Sequence, residues 1–495
     1  MIAAPWDVAP PHEQLFVLVT GANSGVGLGI CERLIDEFLA TRSLTSHLIL
    51  IPTTRSQRKS AETITSLRSH LRRTATSSRA LRSRAGPAYD PEDTLARVHL
   101  LGARIDLCDL VSVYACAANL VAGHISDPTD PSAAPYKIPR LDTVIFNAGI
   151  GGWTGLKWGG LFTDVVTKGI PGPMTWPTFK VAPPGAVVSQ QPVRSYFASP
   201  GAADNDSTSP ALGEVFCANL FGHYILAHEL LPLLSRPSIP SPPASSSPVT
   251  SPGRIVWTSS IEARGCNFSL SDFQGISTPV PYESSKRLTD VLSLTSHLPS
   301  TARVSASYFT PEDPDTASDL PVRPKFYLAH PGVVASTLFP VPFPFLLFWA
   351  YKFALYLARW LGSPWHPVTW YAGAVAPVWL ALQDDETLAE LDAERIKWGS
   401  AASASGRAHV KKTEVEGWGW QGAVEDRESL ARDPATGVLR KAVGRHPEAR
   451  DLTPEMLVEF EQLGVEAWGE MERLRRMWEG ILGIRGAGAQ TNGKS

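Results

Sequence analysis

The sequence predicts an α/β protein built on a doubly wound parallel sheet. Three observations carry this prediction. The apolar run "LFVLVT" (15–20) leads straight into glycine-rich "GANSGVGLG" and then into apolar residues at helical spacing. Further apolar runs of strand length recur along the chain with helix-like segments between them, the alternation that builds parallel sheets. The stretches that break the alternation are rich in Pro, Ser and Asp and read as surface insertions.

The elements follow in order. After the first strand and turn, "ICERLIDEFLA" places Ile30, Leu34, Ile35 and Phe38 on one helical stripe. A second buried strand is "HLILIPTTR" (47–55), followed by an Arg/Ser-rich stretch from Ser56 to Arg84. "RVHLLGARIDL", "LDTVIFNAG", "RIVWTSS" and "KFYLAHPG" supply the remaining parallel strands. Disordered insertions are expected near 74–93, 125–139, 199–211, 235–253 and 310–324, so that 495 residues need no second catalytic domain. The predicted division is a catalytic domain over 1–340, an apolar segment over 341–365, a helical extension over 366–484 and a disordered tail over 485–495.

Composition limits the function classes. A hydrophobic share of 43% suffices for a large core, and a net charge of −3 gives no reason to expect nucleic acid as a partner. Five scattered cysteines show no metal or redox spacing and read as reduced, mostly buried thiols. The N-terminal residues show no basic n-region and no apolar h-region, so a position on the cytosolic side is expected.

Gly21, Gly25 and Gly27 fall between strand and helix, where glycine allows positive φ and close approach to a pyrophosphate. An NAD site would want an acid at the end of the second strand. "IPTTRS" has none, and Arg55, with Arg58 and Lys59 behind it, offers cations to a 2′-phosphate, so NADPH is favoured over NADH. A solvated basic helix start is the alternative reading of the same residues.

Taken with "IFNAG" (145–149), "FCANLFG" (216–222), "VWTSS" (256–260), "YESSK" (282–286) and "HPGVVAST" (330–337), these residues resemble the short-chain dehydrogenase/reductase family, in the family's order, over about 14–340. "FNAGIGGWTGLKWGG", "LYLARWLGSPWHPVTWYAGAVAPVWLAL" and "KWGSAASASGRAHVKKTEVEGW" are similar to one subfamily, the fungal reductases of 3-keto sterols. The resemblance implies a Rossmann-type fold and hydride transfer from a nicotinamide to a ketone. It makes Tyr282 the proton donor, with Lys286 lowering its pKa and gripping the nicotinamide ribose. Ser260 would hydrogen-bond the carbonyl, and Asn219 would hold a water linking Lys286 to solvent. It assigns Gly21, Asn23, Ser24, Gly25, Val26, Gly27, Arg55, Asp106, Asn147, Val334 and Ser336 to the cofactor. A helix N-cap is an equal reading of Asp106. Ser260 and Tyr282 stand 22 positions apart, longer than the family's usual spacing, so Ser259 and Ser260 both stay open as the carbonyl contact.

Behind the last motif runs "LFPVPFPFLLFWAYKFALYLARWLG" (338–362), the most apolar stretch of the chain. Its prolines and Lys352 argue against a membrane span. Two readings remain: a helix lying in a membrane interface with Lys352 and Arg359 snorkelling toward headgroups, or a buried lid over the substrate. An apolar lid there implies a large lipid-like ketone. The subfamily resemblance implies as partners a sterol ketone, the cytosolic face of the endoplasmic reticulum or a lipid droplet, and other enzymes of sterol C4-demethylation. Another steroid or retinoid oxidoreductase, or a non-catalytic scaffold for sterol enzymes, are the alternatives. In the tail, Met456, Phe460, Leu463 and Ala467 share a helical stripe suited to packing on the main domain or a partner.

Overall fold

The computed structural model describes residues 4–130, 132, 134–190, 210–235, 252–310, 322–335, 345–425 and 444–484. Each predicted strand forms: β1 (Gln14–Val19), β2 (His47–Thr54), β3 (Val98–Leu100), β4 (Ala103–Arg104), β5 (Thr143–Phe146), β8 (Arg254–Thr258) and β9 (Lys325–His330). A small hairpin of β6 (Gly155–Leu156) and β7 (Lys180–Val181) stands apart, and β10 (Lys397–Ala402) and β11 (Ala408–Thr413) complete the set.

The main sheet runs β11-β10-β9-β8-β5-β1-β2-β3, with β4 also on β2. From β1 the chain winds outward both ways, so the order reverses between β1 and β5, and a crevice opens at the carboxyl ends of those two strands. Strand residues alternate between two cores. Phe16 and Leu18 of β1 enter one, and Val17 and Val19 the other. The first core is covered by α3 (Leu110–Ala122), α5 (Gly222–Glu229), α6 (Pro281–Thr295) and α9 (Pro454–Leu482). The second is covered by α1 (Gly25–Thr41), α2 (Gln57–Ser77) and α8 (Val375–Leu382). Two further helices, α4 (Trp158–Lys168) and α7 (Phe345–Trp360), lie over the site.

Three expectations need correction. The stretch near 74–93 is helical, because Ile64, Leu67, Leu71 and Ala75 of α2 form a buried stripe that continues into short helices at Arg79–Ala85 and Pro91–Leu95. The described residues of 125–139 are pinned rather than disordered: Ile125 and Ile138 are buried, and Ile125 bridges to Tyr136. The C-terminal extension is helical at α8 and α9 but adds two strands between them, β10 parallel to β9 and β11 antiparallel at the edge. A short helix at Asp385–Glu390 ends well before Lys397, which joins the sheet. Most of 199–211, 235–253 and 310–324, and all of 485–495, lie outside the described residues. All five cysteines are free thiols; Cys31, Cys116 and Cys217 are buried and Cys266 is exposed.

Candidate active site

The glycine turn sits at the crevice. Gly21 has φ of +67°. A Cβ at Gly27 would lie 2.2 Å from the Gly21 carbonyl oxygen and 2.6 Å from Asn147 Nδ2, so only glycine fits. Asn147 Nδ2 donates to the Thr20 carbonyl at 3.2 Å and thereby ties the end of β5 beneath the turn. Asn23 and Ser24 are exposed on its outer side, Ser24 heading α1 without capping it through its hydroxyl, and Gly25 borders open space. A backbone cradle at a helix N-terminus, kept free of Cβ atoms, suits a dinucleotide phosphate.

Arg55 follows β2 directly and is exposed, with no ion pair or hydrogen bond engaging it among the described residues. Arg58, by contrast, pairs with Glu62 at 2.6 Å. Asp106 is not the cap of α3. Asp109 holds that place, and Asp106 Oδ1 instead accepts the Cys108 N–H at 3.0 Å in a local turn. Val334 lies on the cavity wall, and its strand bridge to Val368 ties the loop after β9 to the segment behind α7. Val368 is a β-branched residue at φ +68°, a conformation that costs about 1–3 kcal/mol and persists only where its surroundings enforce it. Ser336 lies outside the described residues.

Tyr282 is the second residue of α6, placed by Pro281 in the first turn. The two serines differ in what each touches. Ser259 Oγ donates to the buried Asp290 carboxylate and, at 3.4 Å, to the Lys286 carbonyl. Ser260 lies beside the Tyr282 phenol and lines the cavity. One turn along α6, the buried Lys286 Nζ donates to the Thr258 carbonyl at 2.7 Å and lies 5.8 Å from the tyrosine ring centroid. Burial pushes Lys286 down to about 8, against the attraction of Asp290 and together with the repulsion of Lys397. Burial, followed by the charge of Glu262, raises the Tyr282 phenol, while Ser260 pulls it down.

Asn219 sits in a π-turn, Cys217–Phe221. Its Oδ1 accepts the Ile150 N–H at 2.7 Å, and its Nδ2 donates to the Ile150 carbonyl at 3.0 Å and to Ser285 Oγ at 3.1 Å. It thus joins the loop after β5 to α6, with no direct bond to Lys286 among the described residues.

Several residues at the site have no role that their place in the sequence announces. Lys397 of β10 donates to the Ser260 carbonyl and to Asp290 Oδ2, both at 2.6 Å, so the C-terminal extension clamps the serine's backbone. Trp153 tilts over Tyr282 with ring centroids 4.8 Å apart. Lys180, Glu262 and Glu283 form an ion-paired group beside it. Lys397 and Lys180 sit in stretches of no marked periodicity, and only folding brings them here.

Tyr282 and Ser260 open onto a cavity of about 330 Å³. Its walls are chiefly apolar, with Phe179 and Leu161 on one side and Leu347, Tyr351 and Ala354 of α7 on another. Helix α7 therefore covers one side of the cavity. The expectation that Arg359 snorkels is overturned: it is buried and lies over the Tyr356 ring at 4.8 Å, because its face of α7 turns toward the protein at Gly406. Among the described residues no helix is long and apolar enough to cross a membrane.

The strand reversal, the glycine cradle and the Ser260–Tyr282–Lys286 grouping define a short-chain dehydrogenase/reductase, an oxidoreductase of the nicotinamide-dependent kind. No family model matches the chain. Two curated proteins do along nearly all of it: 3-keto-steroid reductase ERG27 of Gibberella zeae at 53% identity, covering 98% of each chain, and 3-keto-steroid reductase erg27 of Aspergillus fumigatus at 40%, covering 95% of each. The chain belongs to the family of fungal 3-keto-steroid reductases. Salutaridine reductase of Papaver somniferum is a solved structure with 14% identity and a TM-score of 0.34, over 66% of this chain and 88% of that one, an overlap too loose to bear on function.

Proposed function

We propose that the protein reduces the 3-ketone of a sterol intermediate to the 3β-hydroxyl with NADPH, within C4-demethylation in ergosterol synthesis. One observation carries the reading: Tyr282, beside Ser260 and one turn from Lys286, faces an apolar cavity that adjoins the glycine turn through Val26. The names of the relatives support the substrate class. A bound nicotinamide supplies the hydride. Ser260 and Tyr282 hold the carbonyl oxygen, Tyr282 gives it a proton, and the Lys286 ammonium stabilises the phenolate left behind. Arg55, at the end of β2 where no acid stands, supports NADPH as the cofactor. The same reading takes the membrane surface of the endoplasmic reticulum, on its cytosolic face, and other C4-demethylation enzymes as partners.

The test is NADPH oxidation by detergent-solubilised protein with 4-methylated sterol 3-ketones, wild type beside Tyr282→Phe. The variant is expected to lose at least about 100-fold in kcat. Equal turnover would remove Tyr282 as the acid. Arg55→Ala is expected to raise the KM for NADPH about tenfold and leave that for NADH unchanged; an unmoved NADPH KM would refute the 2′-phosphate contact.

A further inference from the structure

The cavity wall holds a charged group that this chemistry does not use. Lys180 of β7 is brought in by the segment after Trp153, and its side chain is 4% exposed. Its ammonium pairs with Glu262, lies 2.9 Å from Glu283 Oε1, and sits 3.9 Å from the Trp153 ring centroid and 5.3 Å from that of Tyr282. Glu283 is the residue after the tyrosine, and Glu262 is the second after Ser260, whose Oγ accepts the Glu262 N–H at 3.2 Å. Three separate segments therefore deliver two carboxylates and one ammonium to the ring of the proton donor.

With both carboxylates ionised, that group carries a net negative charge. A buried negative charge there opposes the phenolate that Tyr282 must become. Glu283 Oε2 is buried with no hydrogen-bond partner among the described residues, so the cluster as fully ionised leaves an acceptor unsatisfied. One added proton removes the net charge.

We propose that Glu262, which lines the cavity and pairs with Lys180 beside Glu283, is a proton-accepting positioning residue that sets the acidity of Tyr282. The proposal rests on Tyr282 being the acid, as above. Glu262 borders the cavity with 17% of its side chain exposed. Burial raises its carboxyl, Lys180 holds it back and Glu283 raises it again, to about 7. The groups facing it are Lys180 from β7, Glu283 and Tyr282 from α6, and the Tyr351 phenol from α7. The sign follows directly. Protonated Glu262 leaves the cluster neutral and Tyr282 a better acid; ionised Glu262 makes proton donation harder. Reduction therefore slows as pH rises through the Glu262 titration. Lys286, held near 8, contributes a separate fall when it loses its charge.

The experiment is the pH profile of kcat for steroid 3-ketone reduction with NADPH, for wild type, Glu262→Gln, Glu283→Gln and Lys180→Met, each checked for folding by thermal unfolding. Wild type should fall about tenfold through neutrality. Glu262→Gln should lose that limb and keep the one set by Lys286. Glu283→Gln, which removes a raising charge, should move the limb to lower pH, and Lys180→Met should move it to higher pH. If Lys180→Met does not fold, the Glu283→Gln shift alone decides. A neutral limb that stays in place in Glu262→Gln or Glu283→Gln overturns the proposal. A wild type that reduces no ketone at any pH overturns the functional reading instead, so the two failures are distinct.

Discussion

At the residue scale, the two adjacent serines show how little spacing says about role. Both follow the same strand, yet Ser259 is bonded to the buried Asp290 while Ser260 stands beside Tyr282. Their alanine variants are expected to part accordingly. Ser260→Ala should lower kcat about 100- to 1000-fold with the unfolding midpoint nearly unchanged. Ser259→Ala should cost about 1–3 kcal/mol of stability, because it strips a donor from a buried carboxylate. Steady-state kinetics beside urea unfolding reads both, and a larger kinetic loss from Ser259→Ala would reverse the assignment. Tyr282, Lys286 and the glycines were legible because chemistry fixes their type and local spacing. Lys397, Lys180 and Trp153 were not, since each reaches the site from a distant segment.

At the element scale, α7 shows two faces. Leu347, Tyr351 and Ala354 close the cavity, while Trp349, Phe353 and Trp360 are 51%, 58% and 54% exposed on the other side. Beside the same cavity, α4 exposes Phe162 and Val166 while Leu161 and Val165 turn inward. Exposed aromatic faces on two helices around one opening favour the membrane as the source of the substrate. Trp349→Glu with Phe353→Glu is expected to lower the fraction bound to phosphatidylcholine vesicles at least about tenfold, while turnover of a detergent-dispersed ketone persists. Sedimentation of the double variant with vesicles at the wild-type level would count against docking through α7. The choice between lid and interfacial helix could not be made from the apolar pattern, because one amphipathic stretch serves both. Only the cavity beneath α7 shows which residues face inward.

At the scale of the whole molecule, α9 is bolted to the catalytic domain. Phe460 packs on Trp418 at 5.3 Å and beneath Arg287 of α6, and Glu472 accepts from Tyr224 and Ser307, each at 2.8 Å, while pairing with the buried Arg475. Gly464 meets Thr295 so closely that a Cβ would lie 2.6 Å from its methyl carbon, which fixes the crossing of α9 over α6. Phe460→Ala is expected to destabilise the protein by about 3–5 kcal/mol in urea unfolding; a shift below about 0.5 kcal/mol would mean that α9 is not part of the core. The stripe of Met456, Phe460, Leu463 and Ala467 showed that this helix packs somewhere, and its partner emerged only in the fold. The sequence by itself determined the doubly wound core strands, the phosphate turn and the Tyr282/Lys286 pair, because hydrophobic period, glycine placement and residue chemistry are local properties. The tertiary structure alone decided which serine faces the tyrosine, that β10 brings Lys397 under it, and that Lys180 lies between Glu262 and Glu283. Contacts between segments far apart in the chain depend on how they pack, and no local pattern records that.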